Sequence, residues 1–320
     1  MAFELAGAEV PAGSTEWIEV PIATDTDMRD LTVQIYVVNG ADDGSTLWAQ
    51  GTIHGVEQTP GLALRDFLLD LDPADVGGTI VGIPVINPWG FTEKTRVVPV
   101  DGKDPNRSFP GSKTGSFTDV WADKMFTIAT DVADYFVGFH GGGTETVIPG
   151  FSMVVETDDD TEEVSMELAK AADMPHITNL PYGRFAGGLW EELANGGTPA
   201  ILVECDGKGE INPEFYDNVT RGLNNIADHI GLVDGEQNRQ NTPEVHTQLD
   251  FPSCRTGGYF HAEIDGHEYF EEGQQLGHIT DIKGRTVETI EADYDGVVIG
   301  VRSYATVRPG DTVFELAPSE

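Results

Sequence analysis

One set of side chains in this sequence has the types and spacing that metal chemistry needs. His54 and Glu57 stand in HxxE spacing, in a loop between the apolar run TLWAQGTI and the helix-patterned run GLALRDFLLDL. An imidazole and a carboxylate so placed at the carboxyl end of a strand can face one ion, although such a pair is more often two surface residues. His140 closes the run DYFVGFH and enters a turn of consecutive glycines, so another imidazole stands at the carboxyl end of another strand. Glu204 ends the near-continuous apolar run ILVE, and a carboxylate closing a buried strand is costly unless it is paired or employed. A catalytic zinc takes three protein ligands from His, Asp or Glu and leaves a position for water. His54, Glu57 and His140 make such a set, for one Zn2+ per chain.

The elements that must position these groups follow from periodicity. WIEVPIA, LTVQIYVV and TLWAQGTI alternate apolar and polar positions and read as strands. GLALRDFLLDL follows at helical spacing, and a strand passing through a loop into a helix is an α/β unit whose ligands gather at the strand's carboxyl end. The alternation continues. TIVGIPVIN, DYFVGFH, GFSMVVE and PAILVECD read as strands; TDVWADKMFTIATDVA, VSMELAKAADM, GGLWEELANGG and PEFYDNVTRGLNNIADHIGLV read as helices. The stretch from Pro88 to Gly115 reads as one long loop rich in Gly, Pro and Asp, made orderly by Phe109 and Pro110 within DGKDPNRSFPG. This pattern predicts an α/β fold with a mixed, mostly parallel sheet flanked by helices. From about Pro252 the pattern changes to short strand runs between Gly and Asp turns, the signature of a small β-sandwich or barrel. The expected division is therefore a hydrolase-type α/β domain with N-terminal strands over 1–245 and a C-terminal all-β module over 252–320, with the polar linker around 234–252 between them.

The segments HGVE, DPNRSFPG, GFHGG and PAILVECDGKG, in that order, resemble the succinylglutamate desuccinylase/aspartoacylase family of the zinc carboxypeptidase superfamily. The resemblance covers about residues 45–210, and the C-terminal β segment is similar to that family's as well. It implies zinc ligands at His54, Glu57 and His140, with Glu204 as the carboxylate that activates water. It also implies that Asn106 and Arg107 bind a substrate carboxylate and that Arg96 polarises the scissile carbonyl. Those residue types fit the roles, because zinc acidifies bound water, a nearby Glu can carry its proton, and arginine offers carboxylate a bidentate fork. The implied reaction is hydrolysis of the amide of an N-acyl amino acid or similar small carboxylate. A peptide-cleaving metallocarboxypeptidase and a zinc- or ligand-binding protein without turnover are the alternatives. The second is motivated by departures from the family pattern: Gly138 where an Asp orients a metal-bound His, Val56 before Glu57, and Pro105 within DPNR. Loss of such an orienting partner typically costs ~10–100-fold in metal affinity or activity.

Composition bounds the surroundings. The 320 residues carry 55 acidic and 18 basic side chains, a formal net charge of −37, spread along the chain rather than gathered in a tail. At molar salt the Debye length falls to about 3 Å, so this self-repulsion is screened. The expected home is a halophilic cytoplasm. No Lys/Arg patch suits a phosphate backbone or an anionic membrane surface, which excludes nucleic-acid and membrane partners and leaves a small-molecule carboxylate substrate. A homo-oligomer is left open. The start MAFELAGAEVPAGS lacks the basic and apolar regions of a signal peptide, and no apolar run is long enough to span a bilayer. Cys205 and Cys254 have no CxxC neighbour, and Cys205 reads as packing rather than as a nucleophile. His261, His267 and His278 read as scattered strand and turn residues, and Arg184 reads as a solvated residue or a second carboxylate contact. The C-terminal segment is expected to place no lysine at a hairpin tip suited to attachment, and it reads as a lid or wall of the pocket.

Overall fold

Side chains along a strand alternate between faces, and that parity sorts the core of this protein into two layers. The computed structural model describes residues 1–157 and 159–319. A small hairpin, β1 (Phe3–Leu5) and β2 (Ala8–Val10), precedes β3 (Ser14–Thr24), β4 (Asp30–Asn39) and β5 (Asp42–Gln50). Then come α1 (Thr59–Asp70), β6 (Gly77–Ile83), α2 (Pro88–Glu93), α3 (Phe117–Val132), β7 (Tyr135–His140) and β8 (Thr146–Glu156). The alternation closes with α4 (Thr161–Ala171), β9 (His176–Pro181), α5 (Leu189–Asn195), β10 (Ala200–Gly207) and α6 (Pro213–His229). Strands alone follow: β11 (Glu244–His246), β12 (Gly258–Ala262), β13 (Tyr269–Phe270), β14 (Gln275–Thr280), β15 (Thr286–Glu291), β16 (Gly296–Arg302), β17 (Thr306–Val307) and β18 (Phe314–Pro318).

Among the described residues the main sheet is mixed and runs in the order β11-β9-β8-β10-β7-β5-β6-β4-β3. β10, β7, β5 and β6 are parallel neighbours, as are β8, β9 and β11, and the two groups meet where β10 and β8 pair antiparallel. This is the mixed α/β sheet with flanking helices that the periodicity predicts. Leu47, Ala49, Val137, Phe139, Ile201 and Val203 point to one face, where buried residues of α1, α4 and α6 cover them. Trp48, Phe136, Ala200 and Leu202 point to the other, against Trp121, Met125, Trp190 and Leu193 of α3 and α5. Glu204 and His140 have the parity of this second face.

The stretch from Pro88 to Gly115 departs from the single loop predicted for it. It opens with α2, whose Asn87 side chain accepts from Gly90 N–H with Pro88 in the first turn. Asn before Pro is a helix start, since the cap satisfies a free N–H and proline has none to lose. A 3-10 turn at Pro105–Arg107 is capped in the same way by Asp104, which accepts from Asn106 N–H.

After β11 the chain builds a second, four-stranded sheet, β15-β14-β12-β17, and the turn between β14 and β15 carries Lys283, a lysine at a hairpin tip where none was expected. β16 pairs with β18 and β13, and its far end continues the main sheet by pairing with β8 at Val301↔Val147 and Arg302↔Thr146. That attachment carries β18 toward the carboxyl ends of β7 and β10. No helix among the described residues is long and apolar enough to cross a membrane.

Candidate active site

The strand register sets the first contact. β10 pairs with β7 so that Glu204 lies opposite His140. The loop after β5 brings His54 and Glu57 to the same edge. It can pass there because Gly55 lies against the Gly90 backbone, where any Cβ would overlap the chain. His54, Glu57 and His140 are all 2–3 % exposed. Their ligand-type atoms lie within 4.8 Å of one another. His54 Nδ1 is 2.7 Å from Glu57 Oε1, and His140 Nδ1 is 3.1 Å from Glu57 Oε2.

The electrostatics match a place meant for a cation. Burial alone pushes Glu57 upward, but the His54 and His140 imidazoles hold it down, at about 2, so it is ionised throughout the neutral range. Among the described residues, Glu57 Oε2 has only the ion-pair approach of His140 Nδ1 and Glu204 Oε2 is buried without a hydrogen-bond partner. An ionised Glu57 beside a second buried carboxyl in one dry place is costly unless a positive charge serves them. Burial, and after it the carboxylates of Glu57 and Glu315, push Glu204 well above the usual carboxylate range. The donor set of two imidazoles and a carboxylate fits a metal ion that keeps an open position.

Gly138 leaves no carboxylate beside the site from β7, and the Phe136 ring stands 3.2 Å from where a Cβ at Gly138 would be. The orienting carboxylate comes instead from the loop. Asp104 Oδ1 accepts from His54 Nε2 at 3.0 Å. Nε2 thus carries a proton held by Asp104, and Nδ1, hydrogen-bonded to Glu57 Oε1 at 2.7 Å, is the nitrogen that would turn to a metal ion on losing its own. Arg96 Nε donates to Asp104 Oδ2 at 3.0 Å, and its Nη1 is 3.8 Å from Glu57 Oε1. His54, Arg96 and Arg107 together hold the Asp104 carboxyl well below its usual range despite the opposing effect of burial.

One cavity of about 440 Å3 gathers the sequence-predicted residues: His54, Glu57, Arg96, Asn106, Arg107, His140 and Glu204 all line it. The Asn106 amide lies 3.4 Å from His140 Nε2, while its Oδ1 accepts from Leu189 N–H. Arg107 donates to the Asn106 carbonyl and lies over the Phe185 ring, leaving guanidinium donors toward the cavity. The loop reaches this position because Gly187, at φ +86°, packs on the Arg107 backbone at a distance no Cβ would permit. Arg184 is not part of the lining; it donates to the Leu249 carbonyl and stacks between Phe185 and Phe251.

Two residues escaped the sequence reading. Asp104 lay inside a segment already singled out, DPNR, where its capping position was the available signal. Glu315 comes from β18 and lines the same cavity. Burial raises it to about 7 although Arg96 opposes the rise. Nothing in FELAP marks it, since one acidic residue between apolar ones is the ordinary pattern of a strand. Outside the cavity, Cys205 is fully buried, its thiol pushed upward by burial and then by Asp206, as suits a packing residue. His261 and His278 stack on an open sheet face at 4.7 Å, and His278 pairs with Glu263.

Asp206, two residues beyond Glu204, gives a prediction about stability. It is 1 % exposed, and burial lifts it to about 7 even though Thr59 Oγ and Gly207 N–H donate to its Oδ1. A carboxyl raised in the folded state favours the protonated fold, so its contribution is harmless at pH 4 and turns unfavourable as pH climbs toward 7. Asp206→Asn keeps Oδ1 and removes the charge. The expected melting temperature at pH 8 is higher than wild type by several degrees, a stabilisation on the order of 1–2 kcal/mol, and the difference shrinks toward pH 4. Thermal scans at the two pH values check it, and an equal shift at both would point to packing alone.

Comparison with known proteins gives the family and the fold. The model of the succinylglutamate desuccinylase/aspartoacylase catalytic domain matches residues 43–230. An N-alpha-acetyl-L-2,4-diaminobutyric acid deacetylase of Halomonas elongata is 28% identical over 309 residues, covering 94% of this chain and 90% of that protein. The product-bound ectoine utilization protein EutE (DoeB) of Ruegeria pomeroyi superposes with a TM-score of 0.88 at 23% identity, covering 95% of each chain. A succinylglutamate desuccinylase/aspartoacylase of Rhodobacter sphaeroides superposes with a TM-score of 0.86 at 21% identity over 96% of each; both likenesses are of fold. With more than half of its length matched to the family's catalytic domain, the chain belongs to the succinylglutamate desuccinylase/aspartoacylase family of N-deacylating hydrolases.

Proposed function

We propose that this protein cleaves the amide of a small N-acyl amino acid, with zinc held by His54, Glu57 and His140 and with Glu204 as general base. The observation that carries the reading is the buried His–Glu–His set with an unpartnered Glu204 carboxylate opposite His140 in one cavity. Bound there, Zn2+ would acidify a water molecule and polarise the acyl carbonyl. The chain's own groups do the rest. Glu204, made more basic by burial and by the carboxylates of Glu57 and Glu315, accepts the proton of the attacking water and returns it to the leaving amine nitrogen. Arg96 donates toward the acyl oxygen as negative charge builds on it. Arg107 and Asn106 hold the substrate carboxylate, which fixes the amide relative to Glu204. Phe151, Met153, Trp190 and Phe251 give the cavity dry walls.

Glu315 sharpens the choice of substrate. An acidic group facing Glu204 and Glu57 in a dry cavity is costly unless a cation comes with the ligand. We therefore assign it to a substrate bearing a side-chain ammonium, an N-acyl diamino acid. The Halomonas elongata relative is named for such a compound, N-alpha-acetyl-L-2,4-diaminobutyric acid, whose side-chain amine is free. In this reading the segment 252–320 is a second unit whose β18 closes the pocket against long peptides, and the acidic chain works in a salt-rich cytoplasm.

A panel of N-acetyl diamino acids, neutral N-acetyl amino acids and short peptides tests both points. The expected order is fast, slow and inert. Glu315→Gln raises KM for N-acetyl-2,4-diaminobutyrate about tenfold, the worth of one charge-assisted hydrogen bond. It changes the neutral substrates by less than about twofold. Equal effects on charged and neutral substrates would remove Glu315 from this role, and peptides cleaved best would favour a carboxypeptidase.

A further inference from the structure

Outside the cavity, three of the eight histidines meet at one point of the sheet edge. β11 lies parallel to β9 with Glu244 opposite His176, and His246 is two residues further along the same face. One ligand-type atom from each of His176, Glu244 and His246 falls within 4.8 Å of the others. Both imidazoles are 3 % exposed, while Glu244 reaches in from the solvent side.

The hydrogen bonds around the cluster aim its lone pairs. His246 Nδ1 is 3.2 Å from the Pro318 carbonyl, which only accepts, so the proton sits on Nδ1 and Nε2 presents its lone pair. That Nε2 is 3.1 Å from His176 Nδ1. A backbone carbonyl on the far nitrogen is the usual way a metal-ligating imidazole is held in its tautomer. His267 packs its ring 5.1 Å from that of His176 and donates its own Nε2–H to the Gly150 carbonyl. It does so from φ +67°, a conformation that non-glycine residues adopt at a cost and that surrounding structure must enforce. The Tyr269 hydroxyl donates to Glu244, and a plain hydrogen bond between His176 and His246 accounts for the 3.1 Å contact. It does not account for a carboxylate within reach of both rings.

We propose that His176, Glu244 and His246 hold a second divalent transition-metal ion, zinc by donor type, with the remaining position open to water. The ion would tie the short edge strand β11 to β9, with His246 in turn anchored to β18 through the Pro318 carbonyl. Its role is structural, and none of its residues lines the catalytic cavity.

The test is metal stoichiometry of the full chain, equilibrated with excess Zn2+, desalted and measured by plasma mass spectrometry. Wild type is expected to carry two ions. His246→Gln is expected to carry one, with amide hydrolysis within about twofold of wild type and a lower melting temperature only when zinc is present. Glu244→Gln, at an exposed position, repeats the measurement should His246→Gln fold poorly. His140→Ala separates the two sites. One ion in wild type that disappears in His140→Ala overturns the second site and leaves the catalytic reading intact. One ion that survives His140→Ala and disappears in Glu244→Gln supports the second site and counts against the first.

Discussion

Glu204→Gln is expected to lower kcat by ~10²–10⁴-fold, the usual contribution of a positioned general base, while zinc content and KM stay close to wild type. The substitution is nearly isosteric and removes only the ability to take a proton. Its site is fixed by the sheet rather than by a mobile loop, since Glu204 is paired in register with His140 on β7 and with Phe151 on β8. Its Oε2 has no hydrogen-bond partner among the described residues, so that oxygen is not spent on holding the fold. An unchanged KM is expected because the proposed reading has Arg107, Asn106 and Glu315, rather than Glu204, grip the substrate. Loss in kcat and kcat/KM alike is the mark of an interaction made in the transition state. Initial rates of acetate release, with metal analysis of the same preparation, decide the matter. Turnover within threefold of wild type would reject Glu204 as the base.

The second large effect is expected at Asp104. Asp104→Ala should weaken zinc binding or turnover by ~10–100-fold, the range found when the carboxylate behind a metal-bound histidine is removed. Asp104 does three things at once: it accepts from His54 Nε2, binds Arg96 Nε and caps the turn at Asn106. Asp104→Asn separates them, because Asn caps as well as Asp and can still accept from the imidazole, yet loses the charge that holds Arg96. A loss shared equally by both variants implicates Arg96, and one confined to Ala implicates the tautomer of His54. Chelator competition gives the affinity and steady-state rates the turnover. Wild-type values for Asp104→Ala would refute the positioning role. The absence of an Asp at position 138 then has a physical answer: the carboxylate reaches the other histidine from a loop, and Phe136 occupies the ground beside Gly138.

The parts legible in the sequence were those written locally. Period-two and helical runs fixed the alternating α/β order, and the HxxE pair, His140 and Glu204 each announced themselves at a strand end. Their meeting in one cavity depended on neighbouring strands being parallel, which the strand–helix alternation implies. What stayed hidden is long-range or positional. Asp104 is separated from His54 by 50 residues, and only the folded loop reveals which ring it serves. Glu315 enters the cavity because β16 grafts the C-terminal strands onto β8, a pairing across more than 150 residues that no local period encodes. β9 and β11 were passed over because HITNLP and EVH are short and mixed in polarity, and they carry the second histidine cluster.

The pairing of Glu204 with His140 has a consequence for quality control of the molecule. A slip of β10 by one residue would send Glu204 to the α1/α6 face and bring Val203 or Cys205 to the cavity, since each step along a strand reverses its side chains. Correct chemistry and correct register are thus the same event. The three proposed ion donors depend on a different pairing, since His54 and Glu57 follow β5 and His140 ends β7, so only a slip between those two strands would part them. Hydrolysis, which in the proposed reading needs both registers at once, is then the census of native molecules in a preparation, and specific activity should track the native fraction from one refolding yield to another.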